Sequence, residues 1–274
     1  MHVIENIASL RSIRQTYTES LALVPTMGAL HEGHLSLIRL AKKNAEHVIV
    51  SIFVNPTQFG PTEDFETYPR TREHDLALLA DIGVDVVFFP TIAEIYPNGL
   101  ASATRVYVPG LGNRYCGKSR PLFFEGVCSV VLRLFHIINP THAIFGEKDF
   151  QQLTLIRKLV EDLYLPIQII GGPILRESDG LAMSSRNRYL TPEERILATT
   201  IYATLSQLKS TATPEIQQQI QTSVAFLARQ GIVTDYLTLV HEKTLEEAER
   251  PEKDTRLLFA GYLGKTRLID NIRL

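Results

Sequence analysis

Two histidines, His31 and His34, close the stretch Pro25-Thr26-Met27-Gly28-Ala29-Leu30-His31-Glu32-Gly33-His34, with an apolar run before it at residues 21–24 and a helical pattern after it at 35–44. A strand that feeds a helix through a glycine-containing turn aims the unsatisfied N–H groups of the helix at one spot, which suits an anion. The positive end of the helix dipole disfavours imidazolium, so both rings are expected to stay neutral until an anionic ligand arrives. Chemistry on a phosphate is the first expectation.

Three other groups carry residue types that fit such chemistry. The apolar run 48–54 ends at Asn55-Pro56-Thr57-Gln58, whose polar amides are placed to orient a hydroxy-acid or an amine. Gly146-Glu147-Lys148-Asp149, followed by Gln152, stands where a short strand becomes a helix. A lysine there neutralises phosphate as a mobile point charge, and the neighbouring aspartate suits ribose hydroxyls or magnesium. Met183-Ser184-Ser185-Arg186-Asn187 offers two hydroxyls and one fork-shaped cation in a polar loop, suited to gripping a triphosphate. Each group alone also reads as ordinary structure: a tight turn, a loop, a helix cap, a solvated linker. Their convergence decides the matter, since three of the four stand at strand ends or helix starts and present phosphate-type donors. No Cys or Ser is set up with a local base, so no nucleophile is supplied. Phosphate donors without a nucleophile fit nucleotidyl transfer, in which positioning and charge stabilisation carry the rate.

Other chemistries fail on spacing. His31-Glu32-Gly33-His34 has one residue too few for a His-Glu-x-x-His zinc helix, and Gly33 falls where that helix should already be running. Gly264-Lys265-Thr266 echoes the end of a phosphate-binding loop, but the first glycine such a loop needs is Phe259, and a hairpin turn explains the triplet better. No Gly-x-Gly-x-x-Gly occurs, so dinucleotide redox chemistry has no support.

The elements that must position these residues are strands alternating with helices. A short amphipathic helix is expected over 3–15, with Ile7, Leu10 and Ile13 on one side. Strands follow at 21–24, 48–54, 84–89, 142–145 and 167–170, and helices at 70–82, 127–138 and 150–163. In the 70–82 helix, Leu76, Leu79 and Ala80 mark the apolar side. Between them, 97–126 is a long excursion with 106–108 as a candidate edge strand. The alternation argues for an α/β fold, a Rossmann-like doubly wound parallel sheet whose ligands bind beyond the carboxyl ends of the strands, where their order switches. After residues 171–173 the texture changes. Thr191-Pro192-Glu193-Glu194 starts a helix with a threonine cap and glutamate three residues on. Helices at 192–208 and 214–229 precede β-rich segments at 235–240, 256–262 and 266–272. The expected division is a Rossmann-like domain, 1–175, and a smaller α+β C-terminal domain, 176–274.

The bulk numbers agree with such an enzyme. A chain of 274 residues is long enough for two domains, and 45% hydrophobic with 21% charged residues is ordinary for globular proteins. The net charge of −2, with 28 Lys and Arg spread along the chain, gives no footprint for nucleic acid and no polybasic membrane patch. Cys116 and Cys128 lack zinc-site spacing and read as two reduced thiols. Without a secretory signal or a membrane-length apolar run, a soluble cytoplasmic enzyme is expected.

The four groups together resemble the pantoate–β-alanine ligase (pantothenate synthetase) family. The likeness rests on residues 25–34, Phe53-Val54-Asn55-Pro56-Thr57-Gln58-Phe59, Gly146 to Gln152, Asp179 to Asn187 and Leu268-Ile269-Asp270-Asn271, in that order over nearly the whole chain. It implies a nucleotidyltransferase fold of the two-histidine type, a C-terminal lid and a homodimer, with ATP, Mg2+, pantoate and β-alanine as the small-molecule partners. Pantoate would attack the α-phosphate of MgATP to give pantoyl adenylate and pyrophosphate, and β-alanine would then displace AMP. By the same likeness His31 and His34 contact the phosphates, with His34 as proton donor, and the stretch Met27, Gly28, Ala29, Leu30, His31, Glu32, Gly33, His34 lines the nucleotide. Gln58 and Gln152 hold pantoate, and Gln58 also helps place β-alanine. Gly146, Glu147, Lys148 and Asp149 bind adenosine and phosphate, with Lys148 acting on the α-phosphorus. Met183, Ser184, Ser185 and Arg186 close on the phosphates, and Leu175 meets adenine through its backbone. The magnesium ligands are left open. One departure stands out: Arg120-Pro121-Leu122-Phe123-Phe124-Glu125-Gly126-Val127 has Phe123 where the family pattern has histidine. A nucleotidyltransferase that stops after transfer to a phosphorylated acceptor is the rival within the same chemistry, opposed by the uncharged Gln58 and Gln152. A silent nucleotide-binding regulator is opposed by intact His34, Lys148 and Arg186.

Overall fold

The computed structural model describes residues 1–61 and 63–274. Its first sheet has six parallel strands, β1 (His2–Ile4), β2 (Leu21–Thr26), β3 (His47–Ile52), β4 (Val86–Phe88), β5 (His142–Gly146) and β6 (Gln168–Gly172), in the order β1-β4-β3-β2-β5-β6. The inner strands are apolar without alternation: Leu21, Ala22, Leu23 and Val24 are all fully buried, as both faces of a parallel sheet require. Helices α1 (Ile7–Arg14), α2 (Glu32–Asn44), α3 (Arg72–Asp81), α4 (Ile92–Ile95), α5 (Cys116–Ser119), α6 (Phe123–Ile138) and α7 (Phe150–Asp162) make the crossovers and the excursion. Two apolar clusters form the core, one around Leu21, Leu23, Ile49 and α6, the other around Val24, Val50, Ile38 and Leu79.

The strand order reverses between β2 and β5, and there the sheet splits. These two strands pair only through Ala22 with His142 and Leu23 with Ala143, whereas β5 and β6 stay paired over five positions. Pro25, the next residue but one of β2, has no N–H to give a neighbour, so opening the sheet there forfeits no donor. The carboxyl ends of β2 and β5 thus frame a crevice.

The chain continues through α8 (Pro192–Ser210) and α9 (Ile216–Arg229) into an antiparallel sheet of β7 (Ile232–His241), β8 (Thr255–Leu263) and β9 (Thr266–Arg273). Thr191 caps α8, and Glu194 returns the bond to the Thr191 N–H at 2.9 Å. Strand β8 is buried on both faces. Leu257 and Phe259 pack against α8 and α9, while Leu258 joins the cluster that includes Phe150 and Leu155. Gly264-Lys265 turns β8 into β9, so the triplet with Thr266 is a hairpin turn.

Several expectations are corrected. Residues 2–4 are a strand, too short for periodicity to report, and only 7–14 form the first helix. Residues 106–108 form no strand; the Val106 N–H donates to Ser129 Oγ at 2.8 Å instead of to a ladder. Helix α6 begins at Phe123, four residues before its clean periodicity starts. In α3 it is Asp75, not Ala80, that shares the buried face with Leu79. Both cysteines are free and buried. No helix among the described residues is long and apolar enough to cross a membrane.

Gly126 sets the closest approach of α6 to the turn after β3. A Cβ there would stand 2.3 Å from the Thr57 carbonyl oxygen, a backbone atom that cannot rotate away. Gly126→Ala is expected to destabilise the protein by about 1–3 kcal/mol, read as a lower midpoint in urea with an unchanged slope.

Candidate functional site

The crevice opens into a cavity of about 1170 Å3 between the two sheets. Met27, His31, Gly33 and His34 line it from the β2 end, Gly146, Lys148, Asp149 and Gln152 from the β5 end, and Gln58 from the turn after β3. Leu175, Met183, Ser184, Ser185 and Arg186 line it from the segment that leads to α8, and Val127, Val130, Val131 and Leu134 of α6 give it an apolar floor. Four groups scattered over about 160 positions of sequence therefore meet at one space.

Helix α2 has an unusual start, because its cap is a histidine rather than one of the preferred hydroxyl or Asx residues. His31 Nδ1 accepts from the Gly33 N–H at 3.1 Å, and His34 Nδ1 accepts the His31 N–H at 3.4 Å, closing a capping box with histidines at both positions. The rings lie 4.1 Å apart, tilted by 37°. An Nδ1 that accepts carries no proton, so each neutral ring holds its proton on Nε2. Both remain neutral. Burial, with Lys148 and Arg188 nearby, pushes His31 down to about 4, and burial, with His31 and Lys148, pushes His34 down to about 3. Gly33 is required by space: a Cβ would lie 2.8 Å from His31 Cε1.

The turn before the histidines is left-handed at two successive residues, Gly28 (φ 82°) and Ala29 (φ 51°). A buried carboxylate holds it. Asp75 of α3 accepts the Ala29 N–H through Oδ2 and the Leu30 N–H through Oδ1, both at 2.9 Å, and the Thr71 hydroxyl at 3.0 Å. Gly28, Ala29 and Leu30 thus lie behind the cavity rather than along it, and Glu32 points away to pair with Arg39. Of residues 27–34, Met27, His31, Gly33 and His34 border the cavity, while the turn between them buries its backbone against Asp75.

Asn55, 1% exposed, is a scaffold. Its Oδ1 accepts the Tyr96 hydroxyl at 2.8 Å, and its Nδ2 donates to Gln58 Oε1 at 3.1 Å. Gln58 Nε2 donates to Met27 Sδ at 3.3 Å, so the Gln58 amide is oriented at both ends. Gln152 faces the cavity. Its neighbour Gln151 is buried and ties the loop before α6 through the Cys116 N–H and the Leu111 and Arg114 carbonyls.

Lys148 Nζ stands 4.0 Å from Asp149 Oδ2. Glu147 does not line the cavity, and its carboxylate turns instead toward Arg256 at 3.5 Å. In the segment before α8, Arg186 forms a two-pronged pair with Asp64 at 2.9 and 3.1 Å, Ser185 Oγ lies 3.2 Å from the Tyr68 hydroxyl, and Ser184 caps the following turn. The Leu175 carbonyl accepts the Met183 N–H at 3.0 Å. Phe123 carries the Arg120 guanidinium on its ring at 3.6 Å, and Arg120 also grips Glu63. A phenyl face can steer a cation in this way but cannot donate to phosphate.

Sequence reasoning gave no role to Asp75, Asp64, Tyr68, Arg120, Asp270 or Asn271. Asp75 left one trace, an acid placed four residues before Leu79 on a buried helix face. Arg120, Asp270 and Asn271 stood only inside blocks compared with the family pattern, and nothing local showed what any of these residues holds, because their partners are remote in sequence.

The family model described as pantoate-β-alanine ligase matches residues 2–273. A pantothenate synthetase of Marinobacter nauticus is 46% identical over 100% of this chain and 99% of its own length. One of Pseudomonas fluorescens is 46% identical over 100% and 98%. Among solved structures, the pantothenate synthetase of Thermus thermophilus superposes with a TM-score of 0.93 at 42% identity, covering 100% of this chain and 99% of the other. The pantoate-β-alanine ligase of Francisella tularensis, complexed with βγ-ATP and β-alanine, has a TM-score of 0.86 at 38% identity, covering 100% and 97%.

The neutral histidines make stability depend on pH. The native His34 resists protonation down to about pH 3, whereas the unfolded ring takes a proton below its ordinary value near 6.5. The unfolded state therefore binds more protons at mildly acid pH, and native stability falls as pH falls through 6.5. Between pH 7 and pH 5 the ligand-free protein should lose roughly 1–2 kcal/mol on account of His34. Chemical denaturation of His34→Gln over that range should show a correspondingly shallower loss.

Proposed function

The chain belongs to the pantoate–β-alanine ligase family, and we propose that the cavity between its two sheets is where ATP activates pantoate for capture by β-alanine. The overall activity is the ATP-dependent ligation of pantoate and β-alanine to pantothenate. Its chemistry explains why two stages are needed. A carboxylate is a poor acyl donor, so it first attacks the α-phosphorus of ATP, forming an acyl–O–P bond and releasing pyrophosphate. The amine of β-alanine then attacks the activated carbonyl, a proton leaves the nitrogen, and AMP departs with the electron pair of the broken C–O bond.

The carrying observation is the convergence on one cavity of two neutral histidines, a lysine and two glutamines. A space of about 1170 Å3 exceeds the ~300–1,000 Å3 of ordinary small-molecule sites, as a nucleotide beside two small acids requires. In this reading His31 and His34 donate Nε2–H to phosphate oxygens. His34 serves as a hydrogen-bond donor rather than an acid, since its proton is already the only one on the ring. Lys148 neutralises charge that develops at the α-phosphorus. Gln58 and Gln152 hold the hydroxy-acid, with Gln58 held ready by Asn55 and Met27. Gly146 and the Leu175 backbone border the nucleoside, and Met183 and Ser184 flank the phosphates. Ser185 and Arg186 join them there, Arg186 exchanging Asp64 for the triphosphate when ATP enters.

Mg2+ belongs to the reaction as the ion that ATP carries. Asp149, half exposed at the cavity wall, fits an ion that keeps most of its ligands as phosphate and water, and the ion would supply charge neutralisation on the leaving pyrophosphate. The division near residue 175, with 176–274 acting as a lid, a homodimeric assembly and a cytoplasmic location complete the reading.

Purified protein with MgATP and pantoate should release pyrophosphate, and added β-alanine should give AMP and pantothenate in equal amounts. Pyrophosphate release indifferent to pantoate would sink this assignment. Lys148→Ala should lower kcat by about 10²–10³-fold with pantoate KM changed by no more than a few-fold, because the lysine acts on charge present only in the transition state.

A further inference from the structure

The turn that carries Lys148 is held by a residue from the far end of the chain. Asn271, on β9 and 2% exposed, donates both hydrogens of its side-chain amide, to the Glu147 carbonyl at 2.9 Å and the Lys148 carbonyl at 3.0 Å. Its Oδ1 accepts from Arg256 Nη1 at 2.6 Å. Every side-chain hydrogen-bonding group of the asparagine is thus engaged, and two of the three bonds go to consecutive backbone carbonyls of the catalytic turn. Arg256 is itself immobilised, stacked 4.0 Å over Phe150 and bonded to Glu242 at 2.9 Å.

The residue beside it holds a second segment of the site. Asp270 accepts the Asn271 N–H at 2.7 Å and forms a two-pronged pair with Arg176 at 2.7 and 2.9 Å. Arg176 bonds the Gly180 carbonyl at 3.1 Å and pairs across a β-bridge with Ala182, the residue before Met183. Two adjacent residues of one strand therefore fix the backbone under Lys148 and the base of the loop that carries Ser184 to Arg186.

The geometry points to Asn271 as a positioning residue for adenylation, one that sets the location of Lys148 by gripping its carbonyl and, through Asp270, keeps that location in register with the Ser184–Arg186 loop. This rests on the reading of Lys148 as the residue that stabilises charge at the α-phosphorus. The strand supplies rigidity where the turn has little of its own. Lys148 sits in a three-residue 3-10 turn, Glu147–Asp149, with no side-chain cap. A lysine ammonium reaches its target on four single bonds, so only the backbone end of the side chain can be placed in advance. Positioning errors of about 1 Å cost on the order of 10²-fold in rate.

The test is a double-mutant cycle on pantoate-dependent pyrophosphate release from MgATP, using Asn271→Asp, Lys148→Ala and the double variant. Asn271→Asp keeps the shape and the contact with Arg256 but replaces both amide donors by an oxygen facing two carbonyl oxygens. Asn271→Ser, which brings no charge and cannot reach both carbonyls, serves as a second variant if the first does not fold. The expected result is a 10- to 100-fold fall in kcat with pantoate KM within threefold of the parent, and a double variant within threefold of Lys148→Ala alone. A kcat within threefold of the parent would overturn the assignment, as would losses that multiply in the double variant, since a purely structural asparagine would act independently of the lysine. If Lys148→Ala is slow and Asn271→Asp is normal, the positioning role alone falls. If Lys148→Ala turns over like the parent, the reading of the lysine falls first and takes the positioning role with it.

Discussion

The histidine end of the cavity depends on one buried carboxylate. Asp75, 1% exposed, satisfies two backbone donors of a left-handed turn that glycine tolerates at Gly28 and that Ala29 adopts at a cost. Removing it would orphan two buried N–H groups at about 1–3 kcal/mol each, comparable to the strain the turn stores. Because the turn is pinned, α2 starts at a defined place, and the capping box hands two rings to the cavity with their Nδ1 atoms already committed. Tautomer and direction of both histidines follow from backbone geometry, and their neutrality from burial beside Lys148, rather than from the ligand.

The opposite side of the cavity is likewise held by buried polar side chains, which grip main-chain groups or, for Gln58, the side-chain amide. Asn271 holds the Lys148 turn, Asn55 holds Gln58, and Gln151 holds the loop that leads to α6. In each case an amide with both donor and acceptor capacity bridges groups that no helix or strand would satisfy. Arginines close the remaining gaps. Arg176 joins Asp270 to Tyr202, while Arg186 and Arg120 engage the consecutive acids Asp64 and Glu63. Phe123 belongs to this last group: with no donor of its own, it fixes the plane of Arg120 by stacking.

The parts of the fold legible in the sequence were those whose signal is burial repeated at a fixed period. The inner strands are apolar without a break because both faces of a parallel sheet are covered, and α6 repeats apolar residues at helical spacing because Val127, Val130, Val131, Leu134 and Ile138 pack into the core. Thr191 and Glu194 lie three residues apart, so the start of α8 could be read from a short window. Strand β1 has only three residues and no period. At residues 106–108 apolar residues suggested a strand, yet Ser129 of α6 takes the Val106 N–H that a ladder would have used.

The candidate site divides along the same line. The histidine pair, the Lys148 turn and the Ser184–Arg186 loop are contiguous blocks, and their residue types and order alone indicated phosphate chemistry and the family. What brings the blocks into one cavity is the reversal of strand order between β2 and β5, and no local window contains that fact. The supporting residues are hidden for the same reason. Asp75 lies 46 residues from the N–H of Ala29, Arg186 lies 122 from Asp64, and Asn271 lies 123 from the Lys148 carbonyl. A hydrogen bond needs two groups within about 3 Å, and only the folded chain brings those groups together. The chemistry was therefore written in the residue types, while the tertiary structure alone decided which side chains reach the ligand space and which hold the backbone behind it.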